Sequence, residues 1–151
     1  MDDHEALRVL VAAYAHAADR REPAALAALF TDDGLLAIHD GDPGSPDGRA
    51  TVPTRERRGR AEIETAITGL ARYDVTTHML GQHTADIDGD HATGETYCMA
   101  HHLTTTDVGR HDHVLSIRYL DRFRKIDGAW YFEERRLVID WTDERELPAS
   151  A

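Results

Sequence analysis

The chain has 151 residues, 41% hydrophobic and 30% charged, the length and composition of one soluble domain with an ordinary core. With 28 Asp and Glu against 17 Lys and Arg, the formal net charge is −11, which repels a polyanion and excludes nucleic acid as a partner. No apolar run approaches the roughly 20 residues that span a bilayer, Met1-Asp2-Asp3-His4-Glu5 is no signal peptide, and Cys98 is the single cysteine, so the expectation is a cytoplasmic protein without membrane spans, disulfides or a cysteine-built zinc site.

Residues 5 to 20 read as a helix, with Leu7, Leu10, Val11, Tyr14 and Ala18 on one stripe. Pro23 suits the first turn of a second helix with Leu26, Leu29 and Phe30 on its apolar face. Thr31 to Gly34 reads as a turn, and Leu35 to His39 as a short strand. Residues 40 to 54 carry repeated Gly and Pro and are expected to be a lid, a binding loop or an unstructured insert. Arg55-Glu56-Arg57-Arg58 reads as a solvated edge, and Arg60 to Ala71 as a third helix with Ile63, Ala66, Ile67 and Leu70 inward.

The rest is strand-like: 76 to 83, 85 to 87, 92 to 105, 113 to 126 and 129 to 141. Turns are expected at Asp88-Gly89-Asp90, Val108-Gly109-Arg110 and Asp127-Gly128. The order predicts an α+β domain over residues 1–143, helices on one face of a sheet of long antiparallel strands, with 144–151 a frayed polar tail. The long strands are apolar on both faces: Leu115, Ile117, Tyr119 and Phe123 share one, while Val114 and Leu120 lie on the other. Helices cover one face; a second copy is expected on the other, giving a homo-oligomer, dimer or trimer.

Several residues have chemistry beyond packing. Asp19 sits at a helix C-terminus, where the dipole disfavours a carboxylate and Arg20 and Arg21 would be preferred. It is held there for another purpose, or pairs with one of those arginines. His78 lies in a half-buried strand pattern; a carboxylate on one imidazole nitrogen fixes the tautomer and leaves the other as a base. His101 and His102 point to opposite faces, so one at most enters a cavity. His111-Asp112-His113 offers two imidazoles, too few for a metal, and no metal is expected. Cys98, between Tyr97 and Met99, reads as a core residue.

Four stretches carry a family resemblance: Tyr14 through Asp19 to Leu26; Thr77-His78-Met79-Leu80-Gly81; the strand from Gly94 to His102; and Arg124 to Trp130 with Asp140-Trp141 beyond. Together they resemble the SnoaL-like branch of the nuclear-transport-factor-2-like superfamily, near scytalone dehydratase, hexachlorocyclohexane dehydrochlorinase and the bile-acid dehydratase. The resemblance implies a cone-shaped fold with a ligand cavity between three N-terminal helices and a curved, mostly antiparallel sheet. It implies Asp19 and His78 as a catalytic dyad, and Tyr14, His102, Tyr119 and Arg135 as substrate-binding. Ala18 stands where the scytalone enzyme has a tyrosine, and Tyr119 where it has an asparagine, which argues against scytalone itself. The implied activity is a cofactor-free lyase or isomerase on a small, mostly apolar or polyketide-like ligand. The alternatives are a polyketide aldol cyclase and a non-catalytic binding or scaffold domain, such as the small subunit of a ring-hydroxylating oxygenase.

Overall fold

The computed structural model describes residues 1–41 and 52–149. Helix α1 (Asp3–Asp19) begins where the Asp2 carboxylate caps the Glu5 amide at 2.8 Å. Its inward stripe is Leu7, Leu10, Val11, Tyr14 and Ala18, as the spacing predicts, with Ala15 and Ala17 buried beside it. Pro23 opens the five-residue α2 (Pro23–Ala27). Helix α3 (Arg60–Thr68) ends at Gly69 and tightens into a 3-10 turn, Gly69–Arg72, so the expected third helix splits in two.

Six strands form one sheet: β1 (Phe30–Asp40), β2 (Arg55–Arg58), β3 (Val75–Asp88), β4 (His91–Thr106), β5 (Gly109–Ile126) and β6 (Ala129–Leu147), in the order β2-β1-β6-β5-β4-β3. Among the described residues, only β1 and β6 run parallel. The sheet is curved and open, the helices pack on one face, and the fold is the α+β type expected from the element order.

Several boundaries move. Thr31 to Gly34 is part of β1, as an irregularity between Phe30 and Leu35. Arg55–Arg58 is an edge strand against β1, its charged side chains turned to water. The two short strands expected before the Asp88 turn are one strand, interrupted between Leu80 and His83, where Gly81 passes close to Tyr97. Residues 144–147, expected in a frayed tail, pair with β5 as far as Leu147 opposite Arg110: the β5 partner keeps a polar sequence in the ladder. Of the segment 40–54, residues 42–51 lie outside the described residues, so the lid expected there does too.

The Asp127-Gly128 hairpin forms with both residues at positive φ (49° and 81°), the geometry that pairing favours. That hairpin is tied to the start of α1: Asp3 Oδ1 accepts from Lys125 Nζ at 2.8 Å and Trp130 Nε1 at 2.9 Å. The space between α1 and the sheet is filled by Tyr14, Phe30, Tyr119, Phe123 and Phe132, with ring centroids 5.2–6.3 Å apart. No helix is long and apolar enough to cross a membrane among the described residues.

Candidate active site

Helix α1 carries Asp19 to the sheet and stops there. The Glu22 amide donates to the Ala17 carbonyl and the Arg21 amide to Ala18, a Schellman ending with Arg21 in left-handed backbone at φ 56°. A side chain in that conformation costs energy. The Arg21 guanidinium offsets it by donating to the Tyr73 carbonyl, fixing the helix end to the segment that enters β3.

Asp19 then meets two residues of β3 that share a face. Its Oδ1 accepts from the Thr76 hydroxyl at 3.0 Å and lies 2.6 Å from His78 Nδ1; its Oδ2 accepts the His78 amide at 2.9 Å. These bonds offset the unfavourable helix end. Because a carboxylate only accepts, His78 Nδ1 carries a hydrogen, and in the neutral ring Nε2 presents its lone pair. The His78 side chain is mostly buried and that of Asp19 about a quarter exposed. Neither arginine beside Asp19 is its partner; the sequence left that pairing open.

On the next strand, Thr76 is paired with His102. The His102 ring makes an edge contact with His78 (centroids 5.9 Å, 81°) and lies 4.8 Å from Tyr73. Its Nδ1 donates to the His113 carbonyl at 3.1 Å, and burial holds the imidazole below its ordinary value, hence neutral. His101 points the other way and bonds Asp112 at 2.7 Å; Asp112 also accepts the His102 amide at 3.2 Å. With Asp112 so engaged, no group of three or more His, Cys, Asp or Glu side chains among the described residues is placed to hold a metal ion.

The remaining predicted residues form a second cluster, deeper in the core. Arg135 is fully buried and gives two hydrogen bonds, both 2.8 Å, to Asp121. Its guanidinium packs 4.0–4.3 Å from the ring centres of Tyr14, Tyr119 and Phe132. Burial pushes the Asp121 carboxyl up and Arg135 pulls it down; the paired geometry facing a permanently charged guanidinium is that of an ion pair. Burial also pushes the Tyr14 phenol up to about 12, and Tyr119 well above its ordinary value, so both keep their protons. Among the described residues Arg135 Nη1 has no hydrogen-bond partner, and the Tyr119 hydroxyl has only the Cys98 thiol beside it. The Cys98 thiol, raised to about 11 by burial, is inert core.

The structure thus brings Asp19, His78 and His102 together and gathers Tyr14, Tyr119 and Arg135 around Asp121. Sequence reading did not single out Asp121, Asp112 or Tyr73 as site neighbours. Asp121 falls on the apolar stripe of Tyr119 and Phe123, a signal visible once its pairing with Arg135 is known. Tyr73 leaves no such trace. A cleft of about 720 Å³ lies across the far face of the sheet, with His39, Glu95, Arg122, Glu134 and Arg136 among its walls; the dyad does not line it.

The curved α+β fold, with a carboxylate–imidazole pair between its first helix and third strand, defines the class of domain. Within it, residues 1–136 match the SnoaL-like domain, and the chain belongs to that family. A protein of unknown function from Mycobacterium tuberculosis is 27% identical, with TM-score 0.73, over 91% of this chain and 72% of that one. A scytalone-dehydratase-like protein from Novosphingobium aromaticivorans aligns at TM-score 0.79 and 23% identity, over 98% and 91%. A hexachlorocyclohexane dehydrochlorinase from Novosphingobium barchaimii aligns at 0.74 and 14%, over 94% and 89%. No curated protein matches the chain.

Proposed function

We propose that the chain is a cofactor-free lyase or isomerase for a small, mostly apolar or polyketide-like ring compound, with His78 as general base and Asp19 as its orienting partner. The observation that carries this is the 2.6 Å contact between Asp19 and His78 Nδ1, which in the neutral ring leaves Nε2 as the base. In an elimination, Nε2 takes the proton from a carbon beside a carbonyl. The C–H electron pair becomes the C=C bond as the bond to the leaving group breaks. Where oxygen leaves, the proton passes from Nε2 to it and water departs; where halide leaves, the proton goes to solvent. In an isomerisation, Nε2 returns the proton to a different carbon. Asp19 offsets the imidazolium charge throughout.

The second cluster supports a binding role. Tyr14 and Tyr119 keep their protons at any working pH and so remain hydrogen-bond donors, the Tyr119 hydroxyl with only the Cys98 thiol beside it. Arg135, committed to Asp121, acts through its charge rather than as an open fork. The test is turnover on a panel of hydroxy- and halo-substituted cyclic ketones, followed by absorbance of the conjugated product. Asp19→Asn and His78→Ala should each lower the rate at least about 100-fold with unchanged melting. Full turnover in either variant would sink the proposal.

A scaffold reading is favoured by a different observation. Met79, Tyr97 and Trp141 stand exposed on the face of the sheet turned away from α1. The same face suits the expected second copy, so a partner there and a catalytic dyad on the other face are compatible.

A further inference from the structure

Tyr73 joins the candidate site to two arginines. Its ring lies 4.8 Å from that of His102, and its backbone carbonyl accepts from the Arg21 guanidinium. The neighbouring Arg72 lays its own guanidinium over the Tyr73 ring, 4.8 Å from the centroid, and its Nη2 donates to the Tyr73 hydroxyl at 2.9 Å. Steps of 4.8, 4.8 and 5.9 Å thus lead from Arg72 over Tyr73 and His102 to His78.

Neither Arg21 nor Arg72 has a carboxylate within ion-pair distance among the described residues. Acids nearby in the chain bond elsewhere: Asp19 holds Thr76 and His78, and Asp74 accepts from the Thr105 hydroxyl at 2.7 Å. With 28 Asp and Glu against 17 Lys and Arg, unpaired arginines do not reflect a shortage of acids. A surface arginine ordinarily loses side-chain entropy when it holds an anion. Here the ring stack and the hydroxyl already fix the Arg72 plane, so much of that loss precedes the ligand. Tyr73 takes one of its N–H groups, and the rest are open to an anion.

We infer that the substrate carries a carboxylate on a short side chain, held by Arg72 and Arg21 beside Tyr73 while a ring carbon faces His78 Nε2. This rests on the proton-abstraction reading and narrows it to ring ketones with an acidic side chain. Two rings, Tyr73 and His102, stand between the Arg72 guanidinium and His78, so a few carbons separate the carboxylate from the reacting carbon. The net charge of −11 repels an anionic substrate at long range, so its recognition needs local cations of this kind. Arg135 does not compete for the carboxylate, because both of its hydrogen bonds go to Asp121.

The test is a binding titration and needs no turnover. Calorimetry compares 3-(3-oxocyclohexyl)propanoate with its primary amide, which has nearly the same shape and no charge. The wild-type protein should bind the carboxylate roughly tenfold tighter. Arg72→Gln should bring the two compounds to equal affinity. Arg124→Gln removes a guanidinium opposite His91, at the other end of β4 from His102, and should leave the preference in place. Equal wild-type affinities, no binding of the carboxylate, a preference that survives Arg72→Gln, or one lost alike in Arg124→Gln overturns the inference. Proton abstraction is read separately, by deuterium exchange at the ring carbons beside the carbonyl. A carboxylate preference without exchange removes the base role of His78 and keeps the anion site; exchange without a preference does the reverse.

Discussion

At the scale of single residues, the placement of Asp19 is decided by Thr76 and His78 rather than by its helix. A carboxylate there faces the negative end of the dipole, and the Thr76 hydroxyl and the His78 amide compensate. Thr76→Val removes one of those donors without changing the shape of the side chain. The expected cost is roughly 0.5–1.5 kcal/mol in stability, and a rate lowered up to tenfold as Asp19 loosens its hold on the His78 ring. Melting curves and turnover on the ketone panel check the two parts separately. Asp19 and His78 were legible in the sequence because both sit in motifs at a helix end and a strand start. Their partner Thr76 was visible as a strand residue only, since its role depends on where the helix lands. The choice of His102 over its neighbour followed from strand alternation and the family pattern together, and the structure places His101 on the opposite face, against Asp112.

At the scale of elements, strands β5 and β6 hold a buried ion pair between them. Asp121 and Arg135 face each other in register, and both side chains are fully buried. Asp121→Asn leaves the guanidinium charge unpaired in a core of aromatic rings, and should destabilise the fold by about 3–5 kcal/mol in chemical denaturation. Replacing both residues with apolar side chains of similar volume should cost much less, since the pair repays little beyond its own desolvation. This cluster was only half legible. Arg135 belongs to the run Glu133 to Arg136, which reads as a solvated charged face. A bulge between Arg122 and Phe123 shifts the register and turns Arg135 inward. The strand ends were missed for a related reason: polar residues 144–147 have no strand signal of their own, and pairing with β5 supplies it.

At the scale of the whole molecule, pH and assembly are the readable properties. Burial pushes His83 and His102 below their ordinary value of 6.5. The charges that act on His83 are those of Asp121, Arg8, Arg135 and His4, and those that act on His102 are at His78, His113 and Asp112. The unfolded chain takes up protons on both histidines before the folded one does. Their contribution is therefore intact above about pH 6.5 and is lost as pH falls from there toward the lowered folded values. Asp3, held below its ordinary 3.8 by Lys125 and Trp130, has the usual carboxylate sign and loses its contribution only at lower pH. Thermal melting should drop between about pH 7.5 and pH 5.5, and His83→Gln with His102→Phe should flatten that drop. The exposed outer face leads to a second whole-molecule expectation. Met79, Met99, Ser116 and Trp141 lie in one row across four strands, and Trp141 is 50% exposed. If a second copy covers this row, Trp141→Glu should shift light-scattering mass toward the monomer, whereas an unchanged mass removes the row from the interface. The apolar character of both strand faces was legible from sequence, because alternation fails along β5.

The central claim is that Nε2 of His78 removes a proton from carbon. The measurement that reaches it directly is deuterium exchange at the α-carbon of 3-hydroxycyclohexanone in D₂O, followed by ¹H NMR. The account predicts exchange faster than in buffer with the wild-type protein, and exchange at the buffer rate with Asp19→Asn and His78→Ala. Wild-type exchange at the buffer rate, or exchange that survives both substitutions, would contradict it.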